Sequence, residues 1–234
     1  MTILSVVKDV CLSVGVTVPT SVFSGITADR TMQEMVSLAN EMAQRICYDT
    51  REWTKLKAQC VLVGDGVKTA FDLPANFKRM LLTAQVWRSP QTMAPMLFIP
   101  DADEWMQRRM RGYYDSRGEW TMMGGQMLIE PVMGVGTTSR FAYLTKNCIA
   151  LSGSGFGETF LTDNDSFTLD ERLLKLGMIW QWKAYKGSPY TEDMGSYGDA
   201  LVLAMGNDSP SPIIVGRMPL GVSGVAYPWQ VPTP

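Results

Sequence analysis

No histidine occurs anywhere in the 234 residues. The commonest general base is therefore missing, and neither a Ser-His-Asp nor a Cys-His arrangement can be assembled. Cysteine is scarce. The four are Cys11, Cys47, Cys60 and Cys148. None are paired at Cys-x-x-Cys spacing, and no histidine can complete a zinc site. Three lie in apolar surroundings (VKDVCLSV, AQRICYDT, KAQCVLV), which predicts buried free thiols in a reducing compartment. An excess of either charge is also missing: 21 cationic side chains meet 23 anionic ones, for a net charge of −2. Such a chain is no polycation, and tight sequence-independent DNA binding needs many phosphate contacts. No apolar run reaches the roughly 18 residues of a membrane span. The start, MTILSVVKDVCLSVGVTVP, lacks a basic leader and is interrupted by Lys8 and Asp9, so it is not expected to be a signal peptide.

What is present suits a folded chain. At 46% hydrophobic and 19% charged, one large domain or two small ones can bury a core. Ile3, Val6, Val7, Val10, Cys11 and Val14 recur at three and four residues, one face of a helix ending near Gly15. A second helix starts near Thr27 to Asp29, either of which can cap it. Its apolar face is Met32, Met35, Val36, Ala39, Met42, Ala43, Ile46 and Cys47. The period then changes. KAQCVLVGDGVKTAFDL has two extended runs about Gly64-Asp65-Gly66, a hairpin signal because type I′ turns need positive φ. RMLLTAQVW reads as a strand, and QTMAPMLFIP as extended and broken by Pro95 and Pro100. DADEWMQRRMRGYY reads as a short helix capped by Asp101 or Asp103. GEWTMMGGQMLIEP is a second hairpin turning at Gly124-Gly125. In TTSRFAYLTKN, Phe141 and Tyr143 point one way, Arg140 and Ala142 the other. Residues 150–167 form a glycine-rich loop. Thr168 with Glu171 reads as a capping box for a helix with an apolar stripe of Leu169, Leu173, Leu176, Trp180 and Ala184. Lys183 and Lys186 sit in its last turn, where the macrodipole favours cations, and Gly187 stops it. After Pro189 comes a weaker helix, TEDMGSYGDALVLAMG.

The fold class expected is therefore α+β. A helical bundle is drawn from residues 1–56 and 165–206, with an antiparallel β-rich insertion at 57–164 that holds one short helix. Residues 207–234 hold six of the thirteen prolines, and beyond Asp208 their only charged side chain is Arg217. Such a segment cannot build a helix or a core alone. Two readings stand: a frayed terminus, or an extended arm that lies on a neighbouring chain.

Several motif-like stretches fail on spacing or context. GDGVKT carries a lysine and a threonine at the wrong spacing for a phosphate loop. Gly153-Ser154-Gly155-Phe156-Gly157 follows no clear strand and precedes no helix directly, as a dinucleotide loop must. DNDSFTLDE resembles the start of a calcium loop, but Thr168 stands at the sixth position and Leu174 at the twelfth. It is read as a helix cap. Asp103, Glu104 and Asp115 lie near Trp105, Tyr113 and Tyr114, a composition that suits a sugar site with paired carboxylates. No catalytic, cofactor-binding or metal-binding residue is assigned. Trp180 falls on the apolar stripe and is expected in the core. Trp182 falls off it and is expected at a subunit contact.

Three phrases, in order, carry a resemblance. They are DTREWTKL (Asp49 to Leu56), GDGVKTAFDLPANFKRM (Gly64 to Met80) and LDERLLKLGMIWQWKAYKGSPYTEDMGSYGDAL (Leu169 to Leu201). Together they resemble the head-to-tail adaptor, or connector, proteins of short-tailed bacteriophages, above all those of elongated-head coliphages, over residues 25 to 205. The resemblance implies a structural virion protein and no enzyme. It implies a twelve-subunit ring that joins the portal to the tail nozzle, with tail fibres as a further candidate partner. Genomic DNA would pass through the lumen without sequence-specific contacts. The place implied is the neck of the virion, with synthesis in the host cytoplasm and no membrane involved. Trp53, Phe71, Leu73, Pro74, Phe77, Arg79, Trp180 and Trp182 would carry over as scaffold and interface positions. The candidate interface is Trp182, Lys183, Lys186 and Arg79, with Ile213, Ile214, Val215, Tyr227 and Trp229 of the arm. The near-neutral charge suits a conduit that must release DNA. An arm loses entropy on ordering, which many copies would offset through multivalency. Two other classes stay open. One is a tail-associated glycan hydrolase or sugar-binding module using the Asp103, Glu104 and Trp105 region. The other is another ring component, such as a stopper or tail-tube subunit.

Overall fold

The computed structural model describes residues 1–24, 29–90 and 94–208. Two helices open the chain, α1 (Ile3–Val14) and α2 (Arg30–Gln44). The strands β1 (Lys57–Val63), β2 (Ala70–Asp72), β3 (Phe77–Met80), β4 (Trp87–Ser89) and β5 (Leu97–Phe98) follow, then α3 (Ala102–Arg111). Next come β6 (Glu119–Met123), β7 (Gln126–Glu130), β8 (Thr138–Thr145), β9 (Ile149–Ala150), β10 (Phe156–Gly157) and β11 (Ser166–Phe167). Helices α4 (Glu171–Tyr185) and α5 (Thr191–Asn207) complete the described chain. The class is α+β.

The valine spacing of α1 does what periodicity predicts: Ile3, Val6, Val7, Val10 and Cys11 are buried. Gly15 ends the helix at φ 72°, and its N–H returns to Cys11 O, a left-handed cap that glycine adopts without strain. Asp29 caps α2 by accepting from Thr31 N–H; Thr27 lies outside the described residues. Leu38 joins the buried face of α2, while Val36 is only half-buried. Beyond Gln44 the helix widens into a π-turn, Arg45–Asp49, which carries Ile46 and Cys47 into the same core. The Trp53 indole N–H then donates to Ile46 O at 2.6 Å and fastens the exit from the turn.

Helix α4 contacts α1, α2 and α5. Where α2 and α5 close on it stands Gly177: a Cβ there would meet Met42 Cε at 2.5 Å and Tyr197 Cε2 at 3.2 Å. The cap of α4 is Asp170, whose carboxylate accepts from Arg172 N–H. The expected Thr168 cap is therefore corrected. The Thr168 hydroxyl is buried and makes no hydrogen bond, because the chain reaches Thr168 still paired as strand, its N–H bonded to Cys148 O.

The hairpin expected at Gly64-Asp65-Gly66 is also corrected. Strand β1 pairs antiparallel with β8, and β2 pairs with β7 in a different sheet. Local turn chemistry loses here to long-range pairing. Gly64 N–H donates to Thr137 O and Gly66 N–H to Met133 O. Gly64 lies so close to that segment that a Cβ would sit 2.5 Å from Met133 Cβ and 2.6 Å from Gly134 O. Asp65 meanwhile accepts from the Val67 and Lys68 N–H groups and folds its own turn. RMLLTAQVW is not one strand either. It divides into β3 and β4, which pair with successive parts of β8. The hairpin at Gly124-Gly125 does form between β6 and β7, with φ of 61° and 79°, as a type I′ turn requires.

The sheet made by β1, β8, β3 and β4 faces the sheet ordered β2-β7-β6-β5 across a shared core. Cys60, Leu62, Phe141 and Tyr143 come from the first sheet. Phe71, Trp120, Met127 and Ile129 come from the second. Because side chains alternate along a strand, Leu144 of β8 points away from this core and into the helical one. One strand thus serves both cores and joins the β part to the helices.

Residues 150–167 are more than the expected loop: β9, β10 and β11 make a small antiparallel sheet, and Ile149 and Phe167 enter the helical core. In the run DNDSFTLDE, read as a helix cap, Asp170 is the residue that caps α4, while Asp163 and Asp165 have another role. Buried Asp165 accepts from the N–H groups of Ser152, Leu161 and Thr162 and from the Thr162 hydroxyl. Asp163 accepts from Ser21 Oγ and from the Val22 and Phe23 N–H groups. Ile3 N–H donates to Asp165 O at 2.7 Å. The Asp163 carboxylate therefore fastens the loop after α1 to this segment and the Asp165 carbonyl fastens the start of α1, while the Asp165 carboxylate holds the segment itself together. Burial opposes ionisation of Asp165, but the donors prevail and hold its carboxyl at about 2, below the ordinary 3.8. A depressed folded value means that the stabilisation is present above 3.8 and is lost as pH falls through about 2. Asp165→Asn should therefore cost about 1–3 kcal/mol at neutral pH. In urea unfolding, the gap between parent and variant should close across that acid window. A gap independent of pH would contradict the carboxylate's role.

Candidate functional site

The sequence places its candidate interface on α4, and the structure rearranges it. Trp182 is only 6% exposed and belongs to the helical core. Trp180, expected on the core stripe, is less buried and stands against α5, with ring centroids 6.5 Å from Tyr190 and 6.1 Å from Tyr197. Leu173, Leu174, Met178 and Ile179 are buried around Trp182, whereas Leu176 and Ala184 are half-covered. The physical reason is that α4 is packed from more than one direction. A single 3.6-residue stripe cannot describe a helix with neighbours on several sides.

The two lysines are engaged within the chain. Lys183 Nζ lies 2.6 Å from Asp193 Oδ2 and so ties α4 to α5. Lys186 Nζ lies 2.6 Å from Glu34 Oε2 on α2 and 4.6 Å from the centroid of the Trp182 ring. Hydrogen bonds from Lys186 and then Arg30 hold the Glu34 carboxyl below its ordinary range. These groups rim an open cleft of about 500 Å3 between α2 and α4, with Trp182 and Tyr185 along its wall. The picture of Trp182, Lys183 and Lys186 left free for a neighbour is thus corrected: one is core and two are clamps.

Arg79 is likewise a clamp. Its Nη1 lies 2.7 Å from Glu52 Oε1, which also accepts from Leu82 N–H. Burial opposes ionisation of Glu52, yet these donors leave its carboxyl below the ordinary value. The turn after β3 is thereby fixed to the segment between α2 and β1. Asp208 does the same at the other end: it accepts from Thr54 N–H at 3.0 Å and pairs with Arg51 at 3.7 Å. Arg51 also donates to Met205 O. Ile213, Ile214, Val215, Tyr227 and Trp229 lie outside the described residues, but the point from which their segment departs is anchored.

The carboxylates around Trp105 do not make an open pair. Glu104 lies 2.8 Å from Arg108, which also holds buried Glu119 at 2.8 Å. Asp115 is held at about 2 by Arg117, first through a side-chain hydrogen bond. Trp105 is 4% exposed and offers no face for a sugar to stack on. Among the described residues, no group of three or more Cys, Asp and Glu is placed to hold a metal ion. No helix there is long and apolar enough to cross a membrane. The four cysteines are buried and free. Burial pushes the Cys60 thiol up. Cys47 is raised too, first by its hydrogen bond with Cys148 and then by burial.

Two bare surfaces remain that the sequence did not single out. The whole of α5 lacks a buried residue, and Met194, Val202 and Leu203 are 51%, 71% and 59% exposed. Val61, Val63 and Trp87 are exposed on the outer face of the β1–β8–β4 sheet. Their signal in the sequence is faint: an apolar helix lacking cations, and the off-core residues of alternating strands. No known family model matches the chain, and no curated protein matches it.

The burial difference sets an order. Trp182→Ala should cost about 3–5 kcal/mol, as buried aromatic truncations do. Trp180→Ala, at a half-covered site, should cost less. Urea unfolding of the two variants tests this, and the reverse order would contradict the placement of the rings.

Proposed function

We propose that the protein is a structural subunit of a phage neck: an adaptor that assembles as a ring on the portal, passes genomic DNA through its lumen and receives the tail nozzle. The observation that carries this is the surface of α5. A helix of 17 residues with no buried residue leaves large apolar side chains outward. Exposed apolar surface of that kind marks an interaction site more often than idle skin. The ordered phrases from Asp49 to Leu201 supply the kind of assembly.

In this reading, residues 1–56 and 165–206 form the helical bundle of each subunit, 57–164 the β-rich insertion, and 207–234 an arm that reaches a neighbour. Internal clamps such as Lys186–Glu34 and Arg79–Glu52 make the subunit a preformed building block. Preformed surfaces bind with less loss of entropy than segments that must order. The near-balanced charge favours a channel that DNA slides through, since a strongly basic lumen would retain it.

Native mass spectrometry of the chain, alone and mixed with the portal protein of the same genome, tests this. The expected result is a portal-bound ring of twelve copies. A chain that stays monomeric and ignores the portal overturns the adaptor reading. A ring that forms but rejects the portal would mark a different neck or tail component.

A further inference from the structure

The ring reading leaves open which faces of the subunit meet, and the two bare surfaces are complementary. This inference rests on that reading and deepens it.

The first surface follows from β8. Its residues Leu144, Ala142, Arg140 and Thr138 share one face of the sheet. Leu144 is covered by the helical core, whereas Arg140 has run past it into solvent. In the cross-strand row, Arg140 stands between Val61 of β1 and Trp87 of β4. Val61 is 47% exposed and Trp87 44%. All 23 carboxylate side chains of the protein lie among the described residues, and Arg140 pairs with none of them. An unpaired guanidinium between an exposed tryptophan and a valine has the composition of an interface hot spot.

The second surface is the outer side of α5. Glu192, Asp199 and Leu203 lie seven and four residues apart, hence on one side of the helix. Val202 adjoins them. The helix contains no lysine or arginine, and neither Glu192 nor Asp199 pairs with a described cation. Gly195 and Gly206 lie on the same side, and a Cβ at either would meet none of the described residues within 4 Å. Glycine weakens a helix relative to alanine, and here no crowding inside the subunit requires it. A close approach from outside accounts for it.

We propose that the occupant of each surface is the other surface of a second copy. The outer side of α5, with Asp199 at its centre, lies on the sheet face of the next subunit, where Arg140 receives it. Val202 and Leu203 cover Val61 and Trp87. The contact joins unlike faces, so every copy carries both halves, and a chain of such contacts closes into a ring. An Arg–carboxylate pair set in apolar surroundings also fixes register.

The test uses Arg140→Glu and Asp199→Arg in the full chain, both at exposed positions, by native mass spectrometry with and without the portal protein. Each variant alone should self-associate about tenfold more weakly or worse. Mixing the two should restore the oligomer in alternating order, because each junction again joins opposite charges. Oligomers unchanged by either substitution would overturn this pairing of faces while leaving the ring reading intact. A parent that never associates, alone or on the portal, would overturn both. Loss in the single variants without rescue on mixing would also overturn the pairing and point to the 209–234 segment, or another partner, as the occupant of α5.

Discussion

The helical part of the molecule, to which the β part is joined through Leu144, depends on the burial of α4. Its residues Leu173, Leu174, Met178, Ile179 and Trp182 are withdrawn from solvent by neighbours on more than one side. Fully burying side chains of this size is worth about 1.5–3 kcal/mol each. Lys186–Glu34 and Lys183–Asp193 then close the two sides. They add geometry more than energy, since half-exposed ion pairs contribute little. With α4 occupied in this way, its buried sides have little left to offer a partner, and the proposed docking surfaces lie on α5 and the outer sheet face instead.

That consequence links the fold to its proposed role. The helical core holds one end of β8 through Leu144, while the same face of the strand continues beyond it to Arg140. The bare sheet surface is therefore a result of how far β8 extends, not a defect of packing. Helix α5 is the other end of the same logic. It leans on α4 through Tyr197 and Trp180 and leaves its far side uncovered. Asp208, held by Thr54 and Arg51, fixes where the helix stops. A chain built this way is closely packed around α4 and, on the outer sides of α5 and of the β1–β8–β4 sheet, leaves apolar side chains exposed.

Much of this was legible in the residues and some was not. The faces of α1 and α2, the cap of α3, where the Asp101 carboxylate accepts from Asp103 N–H, and the Gly124-Gly125 hairpin follow from local rules, because one neighbour or one turn decides them. The partner of β1 was not legible. Gly64-Asp65-Gly66 satisfies the chemistry of a hairpin, but β8 lies more than seventy positions away and offers a full-length register. Trp180 and Trp182 were exchanged for a related reason: periodicity reports one buried side, and α4 has several. The roles of Asp163 and Asp165 depend on donors from Ser21, Val22, Phe23 and Ser152, which only the folded chain brings near. The resemblance of the three phrases points to a ring, while Arg140 and Asp199 emerge only from the placement of β8 and α5.

The central claim is that the subunit meets its neighbours through α5 and the outer sheet face, with α4 internal. Amide hydrogen exchange on the free chain and on the portal-bound assembly tests it most directly. The account predicts new protection over Thr191–Asn207 and over Lys57–Val63 and Thr138–Thr145, with the cleft between α2 and α4 unchanged. Protection confined to that cleft, or none in α5, would contradict it.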